Sequence, residues 1–156
     1  MTEMLSTNQY HAIKSFTAYC LGAMYVYIGI KHFTDPQYFI NITPPFIPFK
    51  PLAVYFTGVL EIFGGAFLFL QKTRKLGGII LIFLLVIVFP ANIYLYISEI
   101  PRELLGITQT QALTRMPFQI PLIIIAYWHS KKDTSKRFDL VALSLFVPTI
   151  LYFANL

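Results

Sequence analysis

The strongest constraint on what this chain can fold into is a gap in its charges. Residues 76–98 contain no Asp, Glu, Lys, Arg or His and include the run Ile79-Ile80-Leu81-Ile82-Phe83-Leu84-Leu85-Val86-Ile87-Val88. A helix in water needs a polar face, and this stretch offers none. The hydrocarbon core of a bilayer is ~30 Å thick and takes ~20 residues of helix at ~1.5 Å rise each. Residues 76–98 are long enough to cross it.

Applied along the sequence, the same test gives five candidate spans. Residues 51–71 are interrupted only by Glu61. Residues 15–30 reach spanning length if Lys14 and Lys31, at their two ends, lay their aliphatic stems along the bilayer and keep their ammonium groups in water. Residues 116–130 are the shortest. They cross only by tilting, by thinning the bilayer, or by recruiting residues upstream of Arg115, which would draw Arg115 below the membrane surface. Residues 140–156 form the fifth. Asp, Glu, Lys and Arg make up 12% of the chain, about half the ~25% of a soluble surface. With a mean hydropathy of +0.65, that is too little charge to coat a water-exposed globule. The hydrophobic runs lack the ~10-residue alternation of an outer-membrane barrel, so the expected fold is an all-α integral membrane helical bundle, a single membrane domain over residues 1–156.

Orientation follows from the basic residues of the connections. With five spans, Lys14, Lys72, Arg74, Lys75, Lys131, Lys132, Lys136 and Arg137 fall on one side, and Lys31, Lys50, Arg102 and Arg115 on the other. The first side is then cytoplasmic, with the N-terminus inside and the C-terminus outside. The pI of 9.4 comes from these juxtamembrane positions and not from a basic stripe interleaved with aromatics, so nucleic acid is not an expected partner and the lipid bilayer is. The first segment has neither a basic leader nor a small-residue cleavage site and reads as a retained anchor. Cys20, the single cysteine, has no partner in the chain for a disulfide. It reads as an inert packing or lipid-facing residue.

The connection at residues 33–51 holds Pro36, Pro44, Pro45, Pro48 and Pro51 among Phe33, Tyr38, Phe39, Phe46 and Phe49. Prolines at that density forbid one continuous helix, and aromatics suit a membrane–water boundary. The segment is expected to lie across the outer mouth of the bundle, either as an anchoring loop or as a lid. Residues 99–114 are expected to hold a short amphipathic turn.

An ionisable group at the centre of a membrane helix costs roughly 2.5–3.5 kcal/mol on insertion scales, so it faces inward and finds partners. Gly58, Glu61 and Gly65 share one helix face, as do Gly22, Tyr25, Gly29 and His32. Glycines on those faces let a neighbouring helix come close. Pro90 frees the carbonyl of Val86 and precedes Asn92. Arg115 and Gln119 are four residues apart, with Pro117 between them where a first helical turn tolerates proline. With Glu61 ~13 Å along its helix, all of these groups reach one outward-opening cavity, in which Arg115 and Glu61 are expected to pair. The candidate ligand-binding residues are Tyr25, Glu61, Asn92, Arg115 and Gln119, and the candidate proton-handling groups are Glu61 and His32. The alternative use of the same residues is to tie the helices together.

Other chemistries find no support in the sequence. His11, His32 and His129 lack metal-ligand spacing, so no metal site and no intrinsic cofactor is expected. Gly77-Gly78 reads as a helix-packing site and not a phosphate loop. No nucleophile elbow is present. Trp128 reads as an interface anchor.

Taken together, Gly29-Ile30-Lys31-His32-Phe33, Gly58-Val59-Leu60-Glu61-Ile62-Phe63-Gly64-Gly65, Phe89-Pro90-Ala91-Asn92 and Arg115-Met116-Pro117-Phe118-Gln119 resemble the DoxX-like family of small membrane proteins over residues 12–130. The resemblance implies a four-helix core, to which residues 138–156 add a fifth transmembrane helix. It also implies quinone-linked redox work in the bacterial inner membrane, as in the small subunit of a thiosulfate:quinone oxidoreductase, with membrane or periplasmic redox subunits as partners. The chain departs from that pattern by its fifth hydrophobic segment and by having no second cysteine, which speaks against sulfur relay through the chain itself. The function expected is binding of a quinone or similar lipid-soluble ligand. The alternative is a non-enzymatic membrane scaffold or assembly factor. The topology has a direct check: alkaline phosphatase fused after Leu156 should be active in a bacterial host, since the enzyme matures only outside the cytoplasm, and an inactive fusion would overturn the five-span orientation.

Overall fold

A bilayer offers no water to backbone N–H and C=O groups, so an apolar stretch must close its hydrogen bonds within itself. The computed structural model describes residues 7–154, which are all-helical with no strand among them. The elements are α1 (Thr7–Thr34), α2 (Pro36–Ile42), α3 (Lys50–Leu68), α4 (Arg74–Ile97), α5 (Glu99–Leu105), α6 (Gln109–Ser130) and α7 (Lys136–Ala154). Three helices are long and apolar enough to cross a membrane: α1 from Gln9 to Thr34, α3 and α4. Their outward faces carry large apolar side chains, among them Phe16, Phe63, Phe83 and Val86, each more than half exposed. Such a surface fits lipid tails and not water. The chain is a helical membrane bundle.

The long helices pack in chain order. α1 lies along α3, α3 along α4, α4 along α6 and α6 along α7, and α7 returns to touch α1. Leu21, Tyr25, Leu68, Leu81, Leu84, Leu122, Ile125 and Phe146 meet in the core. The glycine-bearing faces point inward as their spacing predicts. A Cβ on Gly65 would stand 2.6 Å from the Gly22 carbonyl oxygen, and one on Gly29 would stand 2.8 Å from that of Gly58. Antiparallel α1 and α3 therefore touch backbone to backbone at two levels. Gly77 and Gly78 do the same for α4, against the carbonyls of Gly64 on α3 and Ala126 on α6.

Basic side chains close three helix C-termini, where carbonyls lack helical partners. Arg74 Nε donates to Leu68 O at the end of α3 (3.1 Å), Lys14 Nζ to Lys131 O just past α6 (3.0 Å), and Arg102 to the carbonyls of Leu95, Tyr96 and Ser98 at the end of α4. Lys14 does not keep its ammonium in water as expected. It is buried, because these carbonyls give its ammonium a better partner than lipid does.

Two further expectations are corrected. α6 begins at Gln109, where Thr108 and Gln111 form a capping box, so Pro117 lies well inside the helix and not in its first turn. Residues upstream of Arg115 are thus recruited, which makes α6 22 residues long and carries Arg115 into its interior. Trp128 is not an interface anchor. Its ring is 1% exposed, and its Nε1 donates to Asp139 Oδ1 at 2.8 Å, an oxygen that also accepts from Tyr10 and Thr134. The first turn of α7 covers the indole and supplies the acceptor that water would give at a membrane surface. Cys20 is half-buried against the core.

The proline-rich connection forms α2, with Pro36 in its first turn, followed by turns to residue 49. α2 touches α1, α3, α4 and α5, and so lies across one end of the bundle. Residues 99–114 form α5 and the start of α6.

If the α1–α3 seam needs hydrogen at Cα, Gly65→Val should destabilise the protein by ~1–3 kcal/mol through overpacking. Ala23→Val, on the exposed side of α1, should leave stability unchanged. Thermal unfolding in detergent compares the two, and equal midpoints would refute the close-contact account.

Candidate functional site

The glycine contact that joins α1 to α3 also builds the site. His32 lies three residues beyond Gly29, and its Cβ comes within 2.6 Å of where a Cβ on Gly58 would stand. Only glycine at position 58 leaves room for the imidazole to lie against α3. Nδ1 of His32 is 2.8 Å from Val54 O, the same carbonyl that Thr57 Oγ1 reaches at 2.9 Å. A carbonyl can only accept, so Nδ1 carries a proton. Nε2 then faces Glu61 Oε2 at 3.1 Å. Two bare lone pairs at that distance would repel, so one of the two groups carries a proton on the facing side, as imidazolium with carboxylate or as imidazole with carboxylic acid. Oε2 accepts no well-aligned hydrogen bond. Both side chains are buried, and the ring of Phe39 from α2 stacks on His32 with centroids 3.6 Å apart.

Across the same end of the bundle, α6 carries Arg115 and Gln119. The expected Arg115–Glu61 pair does not form: among the described residues, Glu61 pairs with His32 and no carboxylate lies within ion-pair reach of Arg115. Arg115 is 8% exposed. Its two terminal nitrogens lie 3.3 and 3.2 Å from Tyr38 OH on α2, and its Nε has no hydrogen-bond partner. This is an unusual position for a charge, since a buried cation is normally matched by an anion or by several carbonyls. Gln119 bonds to α4 and not to Arg115. Its Oε1 accepts from Asn92 Nδ2 at 3.0 Å, and its Nε2 donates to Leu85 O. Pro90 was expected to leave Val86 O as the spare acceptor. The side-chain donor that arrives goes instead to the carbonyl one residue earlier. Tyr25 is buried, and its hydroxyl has no partner.

These groups surround one cavity of about 670 Å³. Tyr25, His32, Glu61, Asn92, Arg115 and Gln119, the six residues singled out from the sequence, all line it. Tyr38 and Phe39 of α2, Leu85 and Val88 of α4, Leu122 of α6 and Phe153 of α7 complete much of the wall. The volume is that of a small-molecule site, and so is the mixture of an apolar wall with a few converging polar groups. Tyr38 and Phe39 were visible in the sequence only as aromatics of a proline-rich connection. Their individual contacts carried no local signal. No group of three or more His, Cys, Asp or Glu able to hold a metal is found among the described residues.

Fold and site together define a helical membrane bundle with a polar cavity at one end, across which a short helix lies. The family model for a domain of unknown function, DUF8561, matches residues 21–130, and the chain belongs to that family. The match ends at the last residue of α6 and leaves α7 outside. No curated protein and no solved structure matches the chain.

The proton arrangement can be checked by substitution. Glu61→Ala strands a buried imidazole and should cost ~3 kcal/mol, as removal of one partner from a buried pair does. Glu61→Gln should cost less than half as much, because an amide N–H can donate to Nε2 while Nδ1–H keeps its carbonyl. Chemical unfolding in detergent measures both, and equal losses would show that the pair is not organised around a shared proton.

Proposed function

We propose that this chain is a DoxX-like protein of the bacterial inner membrane whose cavity binds a quinone, or a similar lipid-soluble carbonyl compound, as part of a membrane redox system. The observation that carries the reading is Arg115, a buried guanidinium on the cavity wall with a tyrosine hydroxyl as its hydrogen-bond partner and no carboxylate in reach. A ligand oxygen bearing partial negative charge supplies what it lacks. In this reading Arg115 and Tyr38 orient a carbonyl oxygen, and the proton held by His32 and Glu61 serves the ligand's protonation. Asn92, Gln119 and the unpartnered hydroxyl of Tyr25 add polar contacts. The apolar remainder of the wall takes the ring and its substituents. Electrons come from or go to a membrane or periplasmic redox subunit.

The same reading takes α6 and α7 as further spans, so that a four-helix core at residues 12–130 is joined by a fifth helix at residues 138–156. The N-terminus is then cytoplasmic and the α2 end of the bundle faces outward. Basic residues around the opposite end, Lys72, Lys75, Lys131, Lys132, Lys136 and Arg137, support that direction. A second reading, a non-enzymatic scaffold or assembly factor, draws on the Asn92–Gln119 bond between α4 and α6, which ties helices without needing a ligand. It leaves the Arg115 and Tyr25 donors unexplained.

Protein extracted in mild detergent should carry a quinone detectable by mass spectrometry. Arg115→Ala and Glu61→Gln should each weaken binding of an added quinone analogue by about tenfold or more, the range for losing a hydrogen bond to a charged group. If no quinone is retained and both variants bind the analogue like the wild type, the reading fails. A stable protein partner recovered without ligand would favour the scaffold.

A further inference from the structure

A second hollow, of about 390 Å³, lies on the outside of the α4–α6 seam. Its lining is apolar apart from one residue: Leu85, Val86 and Phe89 of α4 face Ile120 and Ile123 of α6, with Gln119 at the wall. Val86 is 59% exposed and Ile120 62%, so the hollow opens toward the surroundings of the bundle, which for this protein is lipid. Leu85 and Gln119 line the polar cavity as well. The hydrogen bond from Gln119 Nε2 to Leu85 O therefore lies in the wall that the two spaces share.

Main-chain hydrogen bonding is thinned within both helices at this wall. Pro90 removes the main-chain donor that would bond to Val86 O, and Pro117 and Pro121 do the same along the facing stretch of α6. Among the described residues, the hydrogen bonds across the seam at this level are those of one side-chain amide, with Asn92 and with Leu85 O. A side-chain amide can turn away through its own torsions without unwinding either helix. A cavity of about 670 Å³ is also of the size that encloses a drug-sized group, so a long chain attached to that group has to leave it.

We propose that the α4–α6 groove is a tail site: the polar head of the ligand sits in the cavity, and its alkyl or prenyl chain passes beside Gln119 to lie along Val86, Phe89 and Ile120. This inference rests on the reading of the cavity as a site for a quinone-like ligand and extends it to the class of molecule bound, an amphiphile with an oxygen-bearing head and a chain. The two spaces share a wall at Leu85 and Gln119, and the apolar lining of the outer one selects a chain as occupant.

The test titrates three benzoquinone analogues, with no tail, one isoprenoid unit or a decyl chain, into the full chain in phosphatidylcholine nanodiscs. In the wild type the decyl compound should bind about tenfold tighter than the tailless one after correction for lipid partition, since each buried methylene adds favourable transfer free energy. Ile120→Trp, a substitution at an exposed position that fills the groove, should cut that ratio to about twofold and leave the tailless analogue's affinity unchanged. Val86→Trp, from the facing wall, should do the same and decides the matter if Ile120→Trp does not fold. Phe56→Trp, at another exposed edge of the cavity, should keep the wild-type ratio. A tail advantage that survives both groove substitutions, or that is lost only in Phe56→Trp, overturns the tail site. Failure of the wild type to bind any of the three analogues overturns the quinone reading itself.

Discussion

The rest of this structure depends on the contact between the backbones of α1 and α3. Gly22 meets Gly65 and Gly29 meets Gly58 at distances that leave no space for a methyl group. In lipid there is little hydrophobic drive to bring helices together, so association rests on close packing and on polar contacts between helices. The glycine seam supplies the first and creates the second. By bringing the end of α1 against the start of α3, it sets the His32 ring beside the Val54 carbonyl and the Glu61 carboxyl. A wider seam would separate these groups and leave two buried ionisable residues without partners.

The unmet valences of the helix ends explain a second layer of the structure. Among the basic residues buried or half-buried near the bundle ends are Lys14, Arg74, Arg102 and Arg115. Three of them spend their protons on carbonyls at the ends of α6, α3 and α4. Such carbonyls carry partial negative charge and have no donors of their own, so a cation there answers a demand of the backbone. Arg115 has no such duty. It lies inside a helix and points at a hydroxyl, which is why it, and not the other three, marks the cavity.

The helices and the inward faces were legible in the sequence because they depend on spacing within one segment. Gly58, Glu61 and Gly65 fall on one face whatever else the chain does, and the absence of charge from residue 76 to residue 98 leaves no other use for that stretch. The convergence of six polar residues on one end was legible too, since depth along a helix is counted in residues. Pairing was not. Which partner Glu61 takes depends on how α3 is rotated against α1 and α6, and a sequence of spans contains no rotation. The start of α6 was misread for a different reason. A search for uncharged stretches begins that helix at Met116, while the capping signal Thr108-Gln109-Thr110-Gln111 begins it at Gln109. Trp128 followed the general preference of indoles for membrane surfaces, but here Asp139 of the neighbouring helix gives the N–H an acceptor within the protein.

The short helix over the cavity has a consequence for how the site responds as a whole. Tyr38 holds Arg115, and the next residue, Phe39, stacks on His32. The guanidinium on α6 and the imidazole on α1 do not touch, yet both rest on neighbouring residues of one seven-residue helix. A displacement of α2 as a unit takes both contacts with it. One short helix thus covers two walls of the cavity, and neither can be bared by its movement without the other.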